Sequence, residues 1–119
     1  MRWLALVATL ALLTLGAADG GERLSIVVTP VVAYAPANVR VRAKVESNAD
    51  NRSIQIVADS TEFYRSSEIQ LDGDRAPRMT VVEFRNLPSG TYNVTAVLVG
   101  ATSRTSAVRQ IKVVNRVLE

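Results

Sequence analysis

The sequence predicts an all-β fold: one β-sandwich of about seven strands over residues 24–119, preceded by an N-terminal signal peptide. Three observations carry this. Apolar and polar residues alternate with a period of two from Leu24 to Val114, β-branched residues recur throughout, and turn formers interrupt the pattern about every ten positions. At 119 residues the chain has room for one domain with a true core.

Residues 1–18 read as a signal peptide. Arg2 supplies the positive start, Trp3 to Leu15 is an uncharged run rich in Leu and Ala, and Gly16-Ala17-Ala18 provides small residues for cleavage after Ala18. A membrane anchor needs about 20 apolar residues, and Asp19 ends this run too early. Residues 19–23, with Gly20 and Gly21, form a flexible lead-in. The expected location is secreted or periplasmic, with membrane contact only transient and through the leader. The arginine bias, with Lys44 and Lys112 as the only lysines, points to a GC-rich bacterial source.

The strands follow in order. Leu24 to Thr29 places Leu24, Ile26 and Val28 on one face and stops at Pro30, which cannot donate to a ladder and suits an edge. A short piece, Val31 to Tyr34, ends in Ala35-Pro36-Ala37-Asn38. Strict alternation from Val39 to Val45 turns Val39, Val41, Ala43 and Val45 inward and Arg40, Arg42 and Lys44 outward. After the turn Asn48-Ala49-Asp50-Asn51, Ile54, Ile56 and Ala58 are the inward residues of Ser53 to Ala58. Glu62 to Leu71 is a less regular strand, closed by Asp72-Gly73, a hairpin dipeptide.

Met79 to Phe84 is the next strand. Tyr92 to Val99 then shares one face among Tyr92, Val94, Ala96 and Leu98. In the last strand, Arg104 to Val114, Ala107, Ile111 and Val113 are core candidates. Arg109 falls on the same inward face, which predicts either a bulge or a guanidinium reaching the rim.

Composition excludes much chemistry. The chain has no histidine and no cysteine, so it lacks disulfides, thiol nucleophiles, imidazole bases and the soft metal ligands. Ser66 and Ser67 have no histidine to activate them. Asp50, Asp72 and Asp74 read as turn residues rather than calcium ligands. No catalytic residue, cofactor or metal is expected; a small hydrolase is the remotest alternative. With Arg2 removed, 13 basic residues face 11 acidic ones, a net +2. No aromatics interleave with the cations to stack bases, so nucleic acid is not an expected partner. Phe63 and Tyr64 are adjacent and must face opposite sides of a strand. Asn51-Arg52-Ser53 and Asn93-Val94-Thr95 are glycosylation sequons in a eukaryotic setting only.

The segment Phe84-x-x-Leu87-Pro88-x-Gly90-x-Tyr92-x-Val94 resembles the corner before the penultimate strand of immunoglobulin-like and fibronectin type III-like sandwiches. The resemblance implies a Greek-key sandwich in which Tyr92 returns its hydroxyl to the preceding backbone. Leu87, Pro88, Gly90 and Tyr92 are the corner residues. The inter-sheet cysteine pair is missing, so the chain looks more like the disulfide-free modules that bacteria export.

Two surfaces are candidates. With immunoglobulin order, Val57, Thr95, Val97, Val99, Val108 and Gln110 share the outward face of one sheet, an apolar patch suited to a protein partner. Arg40, Arg42 and Lys44 form a basic stripe on the other sheet. That stripe is either a site for an acidic glycan or other polyanion, or a solvated row paired with Glu83 on a neighbouring strand. The leading expectation is a non-catalytic interaction or structural module of the bacterial envelope, working through the valine face.

Overall fold

A computed structural model describes residues 23–116; the expected signal peptide, most of the expected lead-in and the last three residues lie outside them. Eight strands form: β1 (Leu24–Thr29), β2 (Val32–Tyr34), β3 (Ala37–Val45), β4 (Asn51–Asp59), β5 (Tyr64–Gln70), β6 (Met79–Leu87), β7 (Gly90–Gly100) and β8 (Arg104–Val114). They make a two-sheet sandwich. One sheet has the order β1-β3-β6, and the other β2-β8-β7-β4-β5. All pairings are antiparallel except β2 with β8.

The period-two pattern builds the core. In β3, buried and exposed residues alternate without a break from Ala37 to Val45. The inward row Val39, Val41, Ala43 and Val45 meets Leu24, Ile26 and Val28 from β1 and Val82 and Phe84 from β6. Ile54, Ile56, Ala58, Val94, Ala96 and Leu98 close the core from the other sheet. Among the described residues the buried apolar side chains run from Leu24 to Val113.

The eighth strand comes from Val32–Tyr34. Here the chain leaves the first sheet after Thr29 and adds in parallel to β8. Pro30 lies between the two pieces, where neither ladder needs its missing N–H.

Two expectations are corrected. Asp72-Gly73 does not make a hairpin: β5 and β6 belong to different sheets, and Gly73–Arg75 is a single 3₁₀ turn in the crossover. Gly73 still uses a conformation that disfavours side chains, with φ 53°, and a Cβ there would sit 3.1 Å from the Ala49 carbonyl oxygen. The glycine serves a close approach between loops. The fifth strand starts at Tyr64 rather than Glu62 because Ser60 closes a turn with Phe63: the Phe63 N–H donates to Ser60 Oγ at 3.1 Å, and the Ser60 N–H to the Phe63 carbonyl at 2.8 Å.

Arg109 follows the second branch of its expectation. The β7–β8 register runs unbroken with Val94 opposite Arg109. The residue therefore lies on the inward face yet is exposed, its Nη1 donating to the Val108 carbonyl at 2.8 Å. A bulge occurs instead between β3 and β6, where Ala37 pairs with Leu87 but Val39 with Phe84. Asn86, at φ 60°, absorbs the extra residue, and its N–H donates to Asn38 Oδ1 at 3.1 Å.

The corner after β6 forms as the sequence predicts. Tyr92 is fully buried, and its hydroxyl donates to the Pro88 carbonyl at 2.6 Å. Burial raises its pKa above the ordinary value, against smaller opposing effects of Ser60 and Arg65. Phe63 packs edge-on against the Tyr92 ring, centroids 6.4 Å apart.

The opposite end is held by polar contacts. Asp50 accepts from the Ala101 N–H at 3.0 Å and from the Ser103 hydroxyl at 3.2 Å. The same hydroxyl accepts from Arg23 Nη1 at 3.2 Å. Buried Asn51 donates to the Glu46 carbonyl at 3.0 Å, which removes the first sequon from solvent.

Candidate binding faces

The outward face of the five-stranded sheet is built by β5, β4, β7 and β8 in register. Ser66, Val57, Thr95 and Val108 form one cross-strand row. Glu68, Gln55, Val97 and Ser106 form the next, and Gln70, Ser53, Val99 and Arg104 the third. On the other side stand Tyr64, Asp59, Asn93 and Gln110. All six residues expected on this face are there. Val57, Thr95, Val97 and Val99 are half-buried by their neighbours, while Val108 and Gln110 are exposed. The apolar surface thus has Val97 and Val99 in line on β7, with Val57 and Val108 on the two neighbouring strands either side of Thr95. In these four rows Asp59 and Glu68 carry negative charge and Arg104 positive. A hollow of about 180 Å³ beside β5 is lined by Gln55, Val57, Tyr64, Ser66, Ser67 and Glu68.

The outward face of the three-stranded sheet has a different chemistry. Its rows are Ser25, Lys44, Met79; then Val27, Arg42, Val81; then Thr29, Arg40, Glu83. The basic stripe forms on the central strand as expected. Its expected pairing does not. Glu83 stands opposite Arg40 in register but holds Arg85, with Arg85 Nε 3.1 Å from Glu83 Oε1. Arg85 follows Glu83 by two residues on β6, so the two side chains leave the strand on the same face. Among the described residues the structure forms no salt bridge to Arg40, Arg42 or Lys44. An open hollow of about 410 Å³ beside the stripe is lined by Thr29, Pro30, Asn38, Arg40, Arg42 and Glu83.

Sequence reasoning missed the apolar residues that flank the stripe. Val27 is 57% exposed, Val81 52% and Met79 47%. The alternation held the signal, since Val27 lies between inward Ile26 and Val28, and Val81 precedes inward Val82.

Other candidates separate. Phe63 packs against the core with the Arg65 guanidinium 5.2 Å from its ring centre, while Tyr64 faces solvent. Asp50 caps the β7–β8 turn. Among the described residues no cluster of three or more acidic side chains could hold a metal ion.

No family model matches the chain, and no curated protein matches it. Solved structures do. A superoxide reductase (neelaredoxin) from Ignicoccus hospitalis aligns at 16% identity with a TM-score of 0.62, covering 77% of this chain and 80% of that one. The sulfur carrier protein SoxY from Chlorobium limicola f thiosulfatophilum aligns at 18% identity with a TM-score of 0.63, covering 77% and 76%. At such identities the likeness is one of fold alone: this chain shares the small all-β sandwich.

Proposed function

We propose that this chain is an exported, non-catalytic interaction or structural module of the bacterial envelope with an immunoglobulin-like, fibronectin type III-like fold. It binds a protein partner through the outward face of β4, β7 and β8. The strand order β1-β3-β6 against β8-β7-β4-β5, with a tyrosine corner entering β7, supports the fold name. One observation carries the binding reading: Val57, Val97, Val99 and Val108 meet on one sheet face that Thr95 and Gln110 complete, with the charges confined to its margins. Interfaces favour such centres, depleted of charge and rimmed by polar groups.

The composition supports binding rather than the chemistry named for the two structural neighbours. A sulfur carrier requires an atom to hold sulfur, and this sequence has no cysteine thiol; nor has it a histidine or thiolate to ligate a redox metal.

Photocrosslinking in cells tests the reading. A crosslinkable residue at Val97 or Val108 is expected to trap a discrete protein adduct, and one at Ser25, on the opposite sheet, is not. Equal labelling from both sheets, or none from Val97 and Val108, would remove the valine face as the interface.

A further inference from the structure

We propose that the outward face of β1, β3 and β6 docks the domain on an anionic lipid surface. This assigns to the sheet itself a membrane contact beyond that of the leader, and it stands apart from the protein contact on the opposite sheet.

Charge distribution makes the first argument. Residues 23–116 contain 13 of the 14 basic side chains, all but Arg2, and 8 of the 11 acidic ones, all but Asp19, Glu22 and Glu119, a net +5. The three-stranded face holds Arg40, Arg42, Lys44 and Arg85 against the single carboxylate of Glu83. Three of the five excess charges therefore sit on one face. Arg85 neutralises Glu83 at 3.1 Å, which leaves the three cations of β3 to an outside anion. They are spaced by two residues, so the row runs roughly 13 Å along the strand.

The neighbours of the row decide which anion. Val27 and Val81 flank Arg42 on both sides, and Met79 stands beside Lys44. About half of each apolar side chain is in solvent. A soluble acidic glycan would gain from aromatic platforms and hydrogen-bonding side chains at these positions, and gains little from valine and methionine. A bilayer surface uses both kinds of group: the cations meet headgroup charge while the apolar side chains enter the headgroup–acyl boundary.

The test is sedimentation of the chain starting at Asp19, which keeps the whole core, with vesicles of equal parts phosphatidylglycerol and phosphatidylcholine. Phosphatidylcholine vesicles and soluble dextran sulfate serve as comparisons. Binding to the mixed vesicles is expected, with little to phosphatidylcholine alone. Arg40→Glu with Arg42→Glu should lower the partition at least about tenfold. Val27→Ser with Val81→Ser, which leaves the charge untouched, should lower it several-fold. All four side chains point outward, and a thermal transition near that of the parent shows that each variant folds; Lys44→Glu with Arg42→Glu replaces the first pair if it does not. No binding to mixed vesicles, or binding indifferent to charge reversal, would overturn the proposal. So would an unchanged partition of the valine-to-serine variant together with tight binding of dextran sulfate, which would mark a general polyanion site instead. Crosslinking at Val97 reads the other sheet, so either proposal can fail alone.

Discussion

Tyr92→Phe removes one atom from a fully buried side chain. The lost group is a hydroxyl donating to the Pro88 carbonyl at 2.6 Å. A typical hydrogen bond contributes about 0.5–1.5 kcal/mol net, and the Pro88 carbonyl, on an exposed residue, can turn to water when its donor is lost. The ring remains, with its contact to Phe63, so no cavity term enters. The variant should therefore be less stable by about 0.5–1.5 kcal/mol, a fall in Tm on the order of 5 °C for a domain of this size. The pH dependence follows from burial, which raises the tyrosine pKa. A phenol whose folded pKa exceeds its unfolded value of about 10 stabilises the fold fully below that value, and loses this contribution as pH rises through the folded pKa. The gap between parent and variant should thus be constant near neutrality and shrink in alkali. Denaturant unfolding of both proteins across that range measures it. A gap under about 0.5 kcal/mol at neutral pH, within the scatter of surface substitutions, would refute the corner as a stabilising device. A gap that persists unchanged through alkaline pH would refute the assignment of the hydroxyl as its cause.

The remaining predictions concern packing and the sheet faces. Gly100→Ala places a Cβ against the Asp50 carboxylate, which holds the β7–β8 turn; a loss of about 1–3 kcal/mol is expected by chemical denaturation. Ile56→Ala empties a fully buried position between the sheets and should cost about 2–5 kcal/mol in the same assay. Val108→Glu, at a side chain 49% exposed, should leave stability within about 0.5 kcal/mol while abolishing the protein adduct formed from Val97.

The inward rows of β1, β3, β4 and β7 were legible because each is a period-two run whose slip by one residue would expose every valine and isoleucine in it. Tyr92 was legible because a corner has a local signature. What escaped depended on contacts between distant segments. Asp72-Gly73 is a hairpin signal only if its flanking strands pair, and no local feature shows that β6 belongs to the other sheet. Glu83 was assigned correctly to the face of Arg40, yet Arg85, two residues along the same strand, holds it. The valine face was read as outward from alternation together with the expected immunoglobulin strand order, but its cross-strand neighbours Gln55, Thr95 and Ser106 come from three different strands. The polar lock of Arg23, Asp50 and Ser103 joins residues 80 positions apart, beyond any sequence window.

The two outward faces also constrain each other. Packed sheets lie about 10 Å apart, and their outer surfaces point in opposite directions. A domain resting on lipid through Arg40, Arg42, Val27 and Val81 would hold Val57, Val97 and Val108 away from the bilayer, open to a partner in the adjoining solvent. The chemistry of each face suits that division: the three-stranded sheet carries three of the excess positive charges, and the five-stranded sheet has valines set among uncharged polar side chains. Neither face needs a cofactor, a thiol or an imidazole. A sandwich held by its own alternation, a buried tyrosine hydroxyl and a polar lock at the far end leaves both outer surfaces free for recognition.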